Sequence, residues 1–117
     1  MRTGLLLIAI TTLIYVAAMP AKANPDDWSK IKNITDPYIQ NLGQWVLTAH
    51  KKMGGNDGLK LYKVVSGEYQ IMNGISYRLV IDAIRPGGSH GKYNGWLLQE
   101  DPSNQKTWKL VSFSPQD

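Results

Sequence analysis

The sequence contains no cysteine among its 117 residues, and this absence excludes several kinds of chemistry. Without thiols the chain has no disulfide, no thiolate metal ligand and no cysteine nucleophile. Small secreted domains often rely on disulfides because a short chain buries too little apolar surface to be very stable. This chain must therefore be held together by packing and hydrogen bonds alone.

Histidine is nearly absent as well, since His50 and His90 are the only two. Neither belongs to an H-E-x-x-H pattern or to another spaced metal motif. A Ser-His-Asp triad built on Ser66 or Ser89 would lack a nucleophile elbow. We expect His50 to lie near a helix C-terminus, where positive charge is favoured, and His90 to lie in a mobile glycine-rich loop. The sequence therefore predicts no enzyme activity, no metal and no cofactor.

Charged residues are also few, at 19% of the chain, and their balance is weakly basic. The formal net charge is +4, and it falls to +2 without Arg2 and Lys22, because eleven lysines and arginines then remain against nine acidic residues. The remaining basic residues are scattered along the chain and form no stripe. We therefore expect no nucleic-acid partner.

A long apolar run occurs only at the N-terminus, where it has the layout of a secretory signal. Arg2 precedes an uncharged run over residues 4–19, and Ala21-Lys22-Ala23 matches an A-x-A cleavage site. The run is shorter than the roughly 20 residues of a membrane-spanning helix, so cleavage is favoured over anchoring. This pattern predicts secretion to the extracellular space or a vacuole, with no membrane association after cleavage. The predicted boundaries are a signal peptide over 1–23, a cleavage site at Ala23-Asn24 and a single domain over 24–117.

One segment has the pattern of an amphipathic helix. Asp36 suits the N-cap, Pro37 suits the first helical position and the Gly54-Gly55 pair suits the end. Between these signals, apolar residues recur at helical spacing and form one stripe. The stripe consists of Ile39, Leu42, Trp45, Val46 and Ala49. A helix of this kind needs a broad apolar surface to cover its stripe.

The rest of the chain supplies that surface as strands. Apolar and polar residues alternate after the helix, with turns at an Asn-Gly pair, at RPGGSHG and at EDPSNQK. In the second strand, the apolar residues that share one face are Ile75, Tyr77, Leu79, Ile81 and Ala83. A helix lying across an antiparallel sheet buries both apolar surfaces, so an α+β fold follows. The predicted strands span 59–70, 75–84, 92–99 and 107–113, with a short one around 28–34 before the helix.

The triplet Asn33-Ile34-Thr35 is an N-x-T sequon in a chain that we expect to enter the secretory pathway. Two interpretations remain open. Asn33 either carries a glycan or is an ordinary polar residue that leads into the helix cap. Pro37 lies close downstream and disfavours the modification.

The stretch YQIMNG, residues 69–74, places Ile71 and Met72 beside an Asn73-Gly74 pair that predicts a tight turn. Because successive strand residues point to opposite faces, one of the two apolar side chains must face outward. The pattern alone leaves two alternatives open. These side chains either pack under the edge of their own sheet or are kept for contact with a partner.

The order of these features closely resembles the cystatin family of cysteine protease inhibitors, above all its plant type. The resemblance covers essentially the whole chain after the leader, including WSKIKNITDPYIQNLGQWVLTAHKK, LKLYKVVSGEYQIMNG, ISYRLVIDA and LVSFSP. An L-A-R-F-A-V-like helix motif of that family corresponds to LGQWVL at residues 42–47, where Trp45 takes the aromatic place. The family's Q-x-V-x-G hairpin motif corresponds to residues 70–74, with Met72 where valine is usual.

The resemblance implies one helix packed across a curved antiparallel sheet of four or five strands, with a wedge at one edge. In the family this wedge consists of the N-terminal segment and two hairpin loops, and it plugs the active-site cleft of papain-like cysteine proteases beside the catalytic thiol. It offers no peptide bond to the thiol, so inhibition is reversible and competitive. The implied inhibitory loop consists of Gln70, Ile71, Met72, Asn73 and Gly74.

Two parts of the implied wedge depart from the family pattern. Plant cystatins usually carry a glycine pair just before the segment that begins with Trp28. Here the pair is Asp26-Asp27, which lacks glycine's conformational freedom and adds charge that is costly to desolvate. The second hairpin usually has a Pro-Trp pair, whereas here Pro102 is followed by Ser103. Trp108 lies six residues beyond Pro102; strand spacing favours packing in the last strand, and a longer loop would instead bring it to the edge.

Three hypotheses of different classes follow from the sequence. In the first, the chain is an inhibitor of papain-like cysteine proteases. In the second, it is a cystatin-fold module that has lost inhibition and either binds another protein or serves a structural role. In the third, it is a hydrolase. No motif supports the last. We expect a monomer, although open sheet edges also allow two copies to exchange a hairpin.

Overall fold

The structure, a computed structural model, describes residues 27–55 and 57–116. These residues form one α-helix and a single antiparallel sheet in which each strand pairs with its neighbours in sequence. The predicted α+β fold is confirmed, and the sheet has five strands. The elements are β1 (Ser29–Lys30), α1 (Pro37–Lys52), β2 (Lys60–Ile71), β3 (Ile75–Ile84), β4 (His90–Gln99) and β5 (Trp108–Pro115), with a 3-10 turn (Gln105–Thr107) before β5.

Some predictions fall on residues outside these ranges. They are the signal peptide over 1–23, its cleavage at Ala23-Asn24, and Asp26. Within residues 27–55 and 57–116, no helix is long and apolar enough to cross a membrane. The same part of the chain contains no group of three or more histidine and acidic side chains placed to hold a metal ion.

Helix α1 begins and ends at the residues that its capping signals predict. The Asp36 carboxylate accepts a hydrogen bond from the Tyr38 backbone N–H at 2.9 Å, and Pro37 occupies the first position. The last turn carries His50, Lys51 and Lys52, whose positive or potentially positive side chains suit the partial negative charge of a helix C-terminus. These local interactions explain why the helix spans its predicted length.

The core lies between one face of α1 and the inner face of the sheet. Gly43 brings the two layers together, because a Cβ atom at this position would collide with the Val64 side chain on β2. The alternation predicted for β3 is confirmed, since Tyr77, Leu79, Ile81 and Ala83 are all buried. The buried apolar cluster consists of Ile31, Ile39, Leu42, Val46, Leu47, Val64, Tyr77, Leu79, Ile81, Ala83, Tyr93 and Leu97.

Strand β1 is shorter than predicted, and a helix side chain forms hydrogen bonds with the β2 backbone beyond the end of β1. Ile31 N–H still donates to the Gly67 carbonyl at 2.9 Å, but the chain then turns away towards α1. Beyond that point the Gln40 carboxamide covers the edge of β2. Its Oε1 accepts from Val64 N–H at 2.9 Å, and its Nε2 donates to the Val64 carbonyl at 3.1 Å and to the Ile34 carbonyl at 2.7 Å. One side chain therefore satisfies both backbone groups of Val64.

The prediction for His50 is confirmed, whereas the prediction that His90 lies in a mobile loop is wrong. His50 stacks on Phe113 with ring centroids 4.2 Å apart. His90 is the first residue of β4, where its Nδ1 lies 2.9 Å from an Asp82 carboxylate oxygen. Strand β4 begins two residues earlier than predicted because the β3–β4 turn is short. Arg85 N–H donates to the Ser89 carbonyl at 2.8 Å, which leaves His90 in the ladder.

Candidate functional site

The first loop, residues 70–74, is a tight connection between β2 and β3 with a fixed backbone. Ile71 and Ile75 form the last pair of the ladder. Across the turn, Met72 N–H donates to the Gly74 carbonyl at 2.9 Å. Asn73 has φ 53° and Gly74 has φ 117°, which are conformations that asparagine and glycine accept more easily than other residues. The Asn-Gly pair thus makes the turn that the sequence predicts.

The apolar side chains of the first loop are exposed. Ile71 retains 36% of its accessible surface and Met72 retains 46%, although both are large hydrophobic residues. Gln70 beside them is half-buried and pairs with Ser76 across the ladder. Of the two alternatives that the sequence leaves open, packing under the sheet edge is therefore excluded for nearly half of the surface of Met72 and about a third of that of Ile71. An apolar tip on a fixed turn is a surface suited to contact with another molecule.

The second loop, residues 100–107, begins directly behind the first. Gln99 at the end of β4 pairs with Ile75 on one side and with Trp108 on the other. A Cβ atom added at Gly74 would lie 2.5 Å from the Gln99 carbonyl oxygen and 3.1 Å from the Glu100 Cα atom. Only a residue without a side chain fits this contact, so Gly74 sets how closely the two loops approach.

Hydrogen bonds within the second loop make it a compact polar turn. The Asp101 carboxylate accepts from the Ser103 backbone N–H at 3.1 Å and from the Ser103 hydroxyl at 2.7 Å. Asp101 N–H donates to the Thr107 hydroxyl at 2.9 Å, which closes the loop across its base. Pro102 and Ser103 are exposed at the outside of this turn. The loop thus presents a proline and polar groups, without an aromatic side chain beside the proline.

Trp108 packs in the last strand, as strand spacing predicts. Its ring lies edge-on to Trp45 of α1 at 5.7 Å and to Tyr38 at 6.4 Å between centroids. Its indole N–H donates to the Asp101 carbonyl at 3.2 Å. Trp108 is half-buried in this aromatic cluster, so it holds the base of the second loop and does not form its tip.

A polar pair that the sequence pattern did not predict lies beneath the two loops, and it joins buried Gln99 to the partly exposed Tyr38. Gln99 is fully buried, and its Nε2 donates to the Tyr38 hydroxyl at 2.9 Å, while that hydroxyl lies 3.1 Å from Gln99 Oε1. Burial raises the pKa of Tyr38, and the hydrogen bond with Gln99 opposes part of this shift. The alternation along β4, which puts Gln99 on the same face as buried Leu97, is the signal that could have revealed it.

The N-terminal end of the described chain lies at the same end of the sheet. Asp27 is exposed, and Ser29 pairs with Tyr69, which places Trp28 beside the first hairpin. The Arg78 guanidinium lies 3.8 Å above the Trp28 ring and donates to the Glu68 carboxylate at 2.7 Å. Trp96 meets Trp28 edge-on at 5.9 Å. The sequence pattern does not predict this cluster, because its members come from four separate segments.

Three segments therefore meet at one end of the sheet, in the order expected for a wedge. They are residues 27–28, the first loop and the start of the second loop. The first loop supplies exposed apolar surface, the second supplies polar groups, and the N-terminal segment supplies a charged residue next to a fixed tryptophan. The exposed apolar tip of the first loop makes this surface suited to contact with another molecule.

Known proteins resemble this chain in sequence and in fold. A family model described as "Aspartic acid proteinase inhibitor" matches residues 31–116. "Cysteine proteinase inhibitor 6" of Oryza sativa subsp. japonica is 42% identical over 103 residues, which covers 87% of this chain and 89% of that protein. "Cysteine proteinase inhibitor 5" of Arabidopsis thaliana is 32% identical over 111 residues, which covers 95% of this chain and 88% of that protein.

A solved structure supports the same fold at much lower identity. The salivary cystatin of the soft tick Ornithodoros moubata superposes with a TM-score of 0.62 at 13% identity, over 78% of this chain and 97% of the tick protein. The names of the sequence relatives and of the family model describe proteinase inhibitors and not enzymes, which confirms the prediction that the chain is not an enzyme. This chain belongs to the plant cysteine proteinase inhibitors with a cystatin fold, the phytocystatins, and to the family described as aspartic acid proteinase inhibitors.

Proposed function

We propose that this chain is a secreted, reversible and competitive inhibitor of papain-like cysteine proteases, and that its first loop enters the active-site cleft beside the catalytic thiol. The observation that carries this proposal is the exposed apolar tip of Ile71 and Met72 on a turn whose backbone is already fixed. The printed names of the plant relatives, which are cysteine proteinase inhibitors, support the same target class.

The energetics of the first loop favour docking without cleavage. Because the Met72–Gly74 hydrogen bond and the positive φ angles hold the turn in advance, little conformational entropy is lost on binding. Burial of the exposed tip contributes about 25 cal/mol per Å² of apolar surface, and the flexible Met72 side chain adapts to an uneven cleft. A tight turn presents no extended peptide bond to the thiol, so the loop occupies the cleft of the protease without being cleaved.

The other two parts of the wedge contribute less. Trp108 is held between Trp45 and Asp101, so the second loop presents Pro102 and polar residues to a protease without an aromatic side chain. Loss of an aromatic anchor from an interface commonly costs about 2 kcal/mol, or about thirtyfold in affinity. Asp27 adds an exposed charge at the N-terminal side. The first loop therefore carries most of the affinity, and the inhibitor is weaker or narrower in target than relatives that keep all three parts.

Titration of papain with the purified protein tests this function. We expect competitive inhibition with a constant between nanomolar and low micromolar, and a rise of apparent KM at unchanged kcat. No inhibition at high micromolar concentration would reject the proposal and favour a cystatin-fold module that binds another protein or serves a structural role.

A second target class follows from the family model. Because the model that matches residues 31–116 is described as an aspartic acid proteinase inhibitor, the same surface is a candidate for binding an aspartic proteinase. A parallel titration of pepsin separates the two targets. Inhibition of pepsin without inhibition of papain would assign this chain to the second class.

The route of export belongs to the same proposal. The leader over 1–23 directs the chain to the secretory pathway, and cleavage at Ala23-Asn24 leaves Asp26-Asp27 close to the new N-terminus. N-terminal sequencing of protein recovered from the medium of eukaryotic cells should begin at Asn24. An intact leader on the recovered protein would contradict this part of the proposal.

A further inference from the structure

Asn33, Ile34 and Thr35 form the one triplet in the sequence in which an asparagine is followed two residues later by serine or threonine. The middle residue is isoleucine, which such a triplet accepts, and Pro37 lies outside it. Pro37 serves as the first residue of α1, so its position has a structural explanation of its own.

The triplet lies on the surface, in the turn between β1 and α1. Asp36 N–H donates to the Asn33 carbonyl at 3.1 Å, which closes the turn. The Thr35 hydroxyl donates to Asn33 Oδ1 at 3.1 Å. Both Asn33 and Thr35 are exposed, and within residues 27–55 and 57–116 no hydrogen bond engages the Asn33 Nδ2 atom. A large group attached to that nitrogen would extend into solvent without disturbing the core.

The triplet is also far from the first loop. Ile34 and Thr35 line a groove of about 260 Å³ together with Gln40, Lys63, Val64 and Val65. Val65 precedes Met72 by seven residues along β2, and at about 3.3 Å per strand residue the two lie roughly 20 Å apart. A glycan at Asn33 would therefore stand beside the part of the β2 edge that Gln40 covers and leave the exposed tip of the hairpin free.

We propose that Asn33 is modified with an N-linked oligosaccharide, an inference that rests on the secretory route included in the proposed function. The donor is an oligosaccharide on a lipid pyrophosphate. Asn33 Nδ2 attacks C1 of the first sugar, the C1–N bond forms as the C1–O bond to phosphate breaks, the lipid pyrophosphate leaves with the electron pair, and a base of the transferase takes one Nδ2 proton.

The test uses the full chain expressed with its own leader in eukaryotic cells, with the secreted protein analysed before and after treatment with peptide N-glycosidase. We expect a slower gel band that collapses on treatment, together with deamidation at Asn33 in a tryptic peptide. Asn33→Gln and Thr35→Ala should abolish the shift, whereas Thr35→Ser, the matched control, should retain it.

Three outcomes would overturn the proposal and are distinguishable. Protein in the medium without a shift rejects the glycan and leaves secretion intact, and a chain that remains in the cytosol rejects both. A shift that persists in Asn33→Gln places the modification elsewhere.

The glycosylated and enzymatically deglycosylated forms should also inhibit papain with constants within about threefold of each other. Loss of inhibition by the glycosylated form alone would contradict the placement of the glycan away from the first loop.

Discussion

Met72 combines two properties that rarely occur together, a large apolar side chain that is 46% exposed and a backbone N–H fixed by a hydrogen bond across a tight turn. Exposure of this kind costs the free protein some hydrophobic stabilisation. A residue in such a position is therefore a direct probe of what the turn contacts.

Met72→Asp should reduce inhibition of papain strongly without unfolding the domain. A carboxylate at the tip would have to be desolvated in the cleft, and the apolar contact would be lost, so we expect a loss of about thirtyfold or more in the inhibition constant. The measurement is a papain titration beside a circular dichroism melt. Val111→Asp is the matched control, because Val111 is 49% exposed on β5 and lies outside the loops. Equal losses in the two variants would contradict the assigned role of the first loop.

Gly74 is constrained twice, by its φ of 117° and by its contact with the Gln99 carbonyl. Gly74→Ala should lower the free energy of unfolding by about 1–3 kcal/mol and should also weaken papain inhibition, because the loops must move apart. Gly87→Ala separates the two constraints. Gly87 has φ 99° but no atom within 4 Å of an added Cβ, so it carries the backbone strain alone. Urea unfolding gives the loss of unfolding free energy in each variant. A loss in Gly74→Ala no greater than the loss in Gly87→Ala would mean that the contact with Gln99 is unimportant.

At the scale of elements, the edge of β2 is completed by an unusual partner. Gln40, a helix residue, bonds both backbone groups of Val64 in the way that a neighbouring strand would. Lys30 marks the end of β1, so without this carboxamide the ladder on that side would stop near Gly67.

Gln40→Ala should cost about 1–3 kcal/mol in the free energy of unfolding, because the Val64 N–H and the carbonyls of Val64 and Ile34 all lose a partner. Gln44→Ala is the control, since Gln44 is an exposed residue of the same helix whose side chain donates to the Thr48 hydroxyl and, within residues 27–55 and 57–116, bonds no backbone group of the sheet. Chemical denaturation of both variants provides the comparison. A loss that is the same in both would show that water replaces the Gln40 amide without cost.

The elements themselves could be predicted from local signals, and the contacts between them could not. Asp36 and Pro37 mark the start of α1, and the Asn-Gly pair marks the turn after β2, because these effects act within a few residues. The Tyr38–Gln99 pair joins residues 61 positions apart. Alternation places Gln99 on the inner face, but only the packing of α1 across the sheet brings it to Tyr38. The cluster of Arg78 on Trp28 escaped prediction because its members also come from separate segments.

At the scale of the whole molecule, the candidate site occupies one end of the sheet and other contacts hold the opposite end. His50 contacts Asp57 at 3.0 Å, and His90 contacts Asp82 at 2.9 Å beside the turn at residues 85–89. At the end that carries the first loop, the side chains of Tyr38 and Gln99 are hydrogen-bonded to each other. Substitutions at the two ends should therefore affect binding and stability differently.

The stability of the whole domain should fall in alkali partly through Tyr38. Because burial raises the pKa of Tyr38 above its ordinary value of 10.0, the folded protein holds this proton more tightly than the unfolded chain does. The resulting stabilisation is fully present below the unfolded pKa and is lost as pH rises through the folded pKa.

The comparison is the free energy of unfolding at about pH 8 and at about pH 11. The wild type should lose more stability between these values than Tyr38→Phe, although the variant starts lower because Gln99 loses a partner. An identical loss in the two proteins would contradict the predicted contribution of Tyr38 to alkaline sensitivity.

The way in which the first loop is held has a consequence for the conditions under which it works. Its geometry depends on the backbone bond between Met72 and Gly74 and on the close contact with Gln99, and the chain contains no cysteine. Thiol proteases are active only when their own nucleophile is kept reduced. A reductant that activates such an enzyme leaves this loop unchanged, so the loop that we propose as the inhibitory element keeps its shape in the redox environment in which a thiol protease is active.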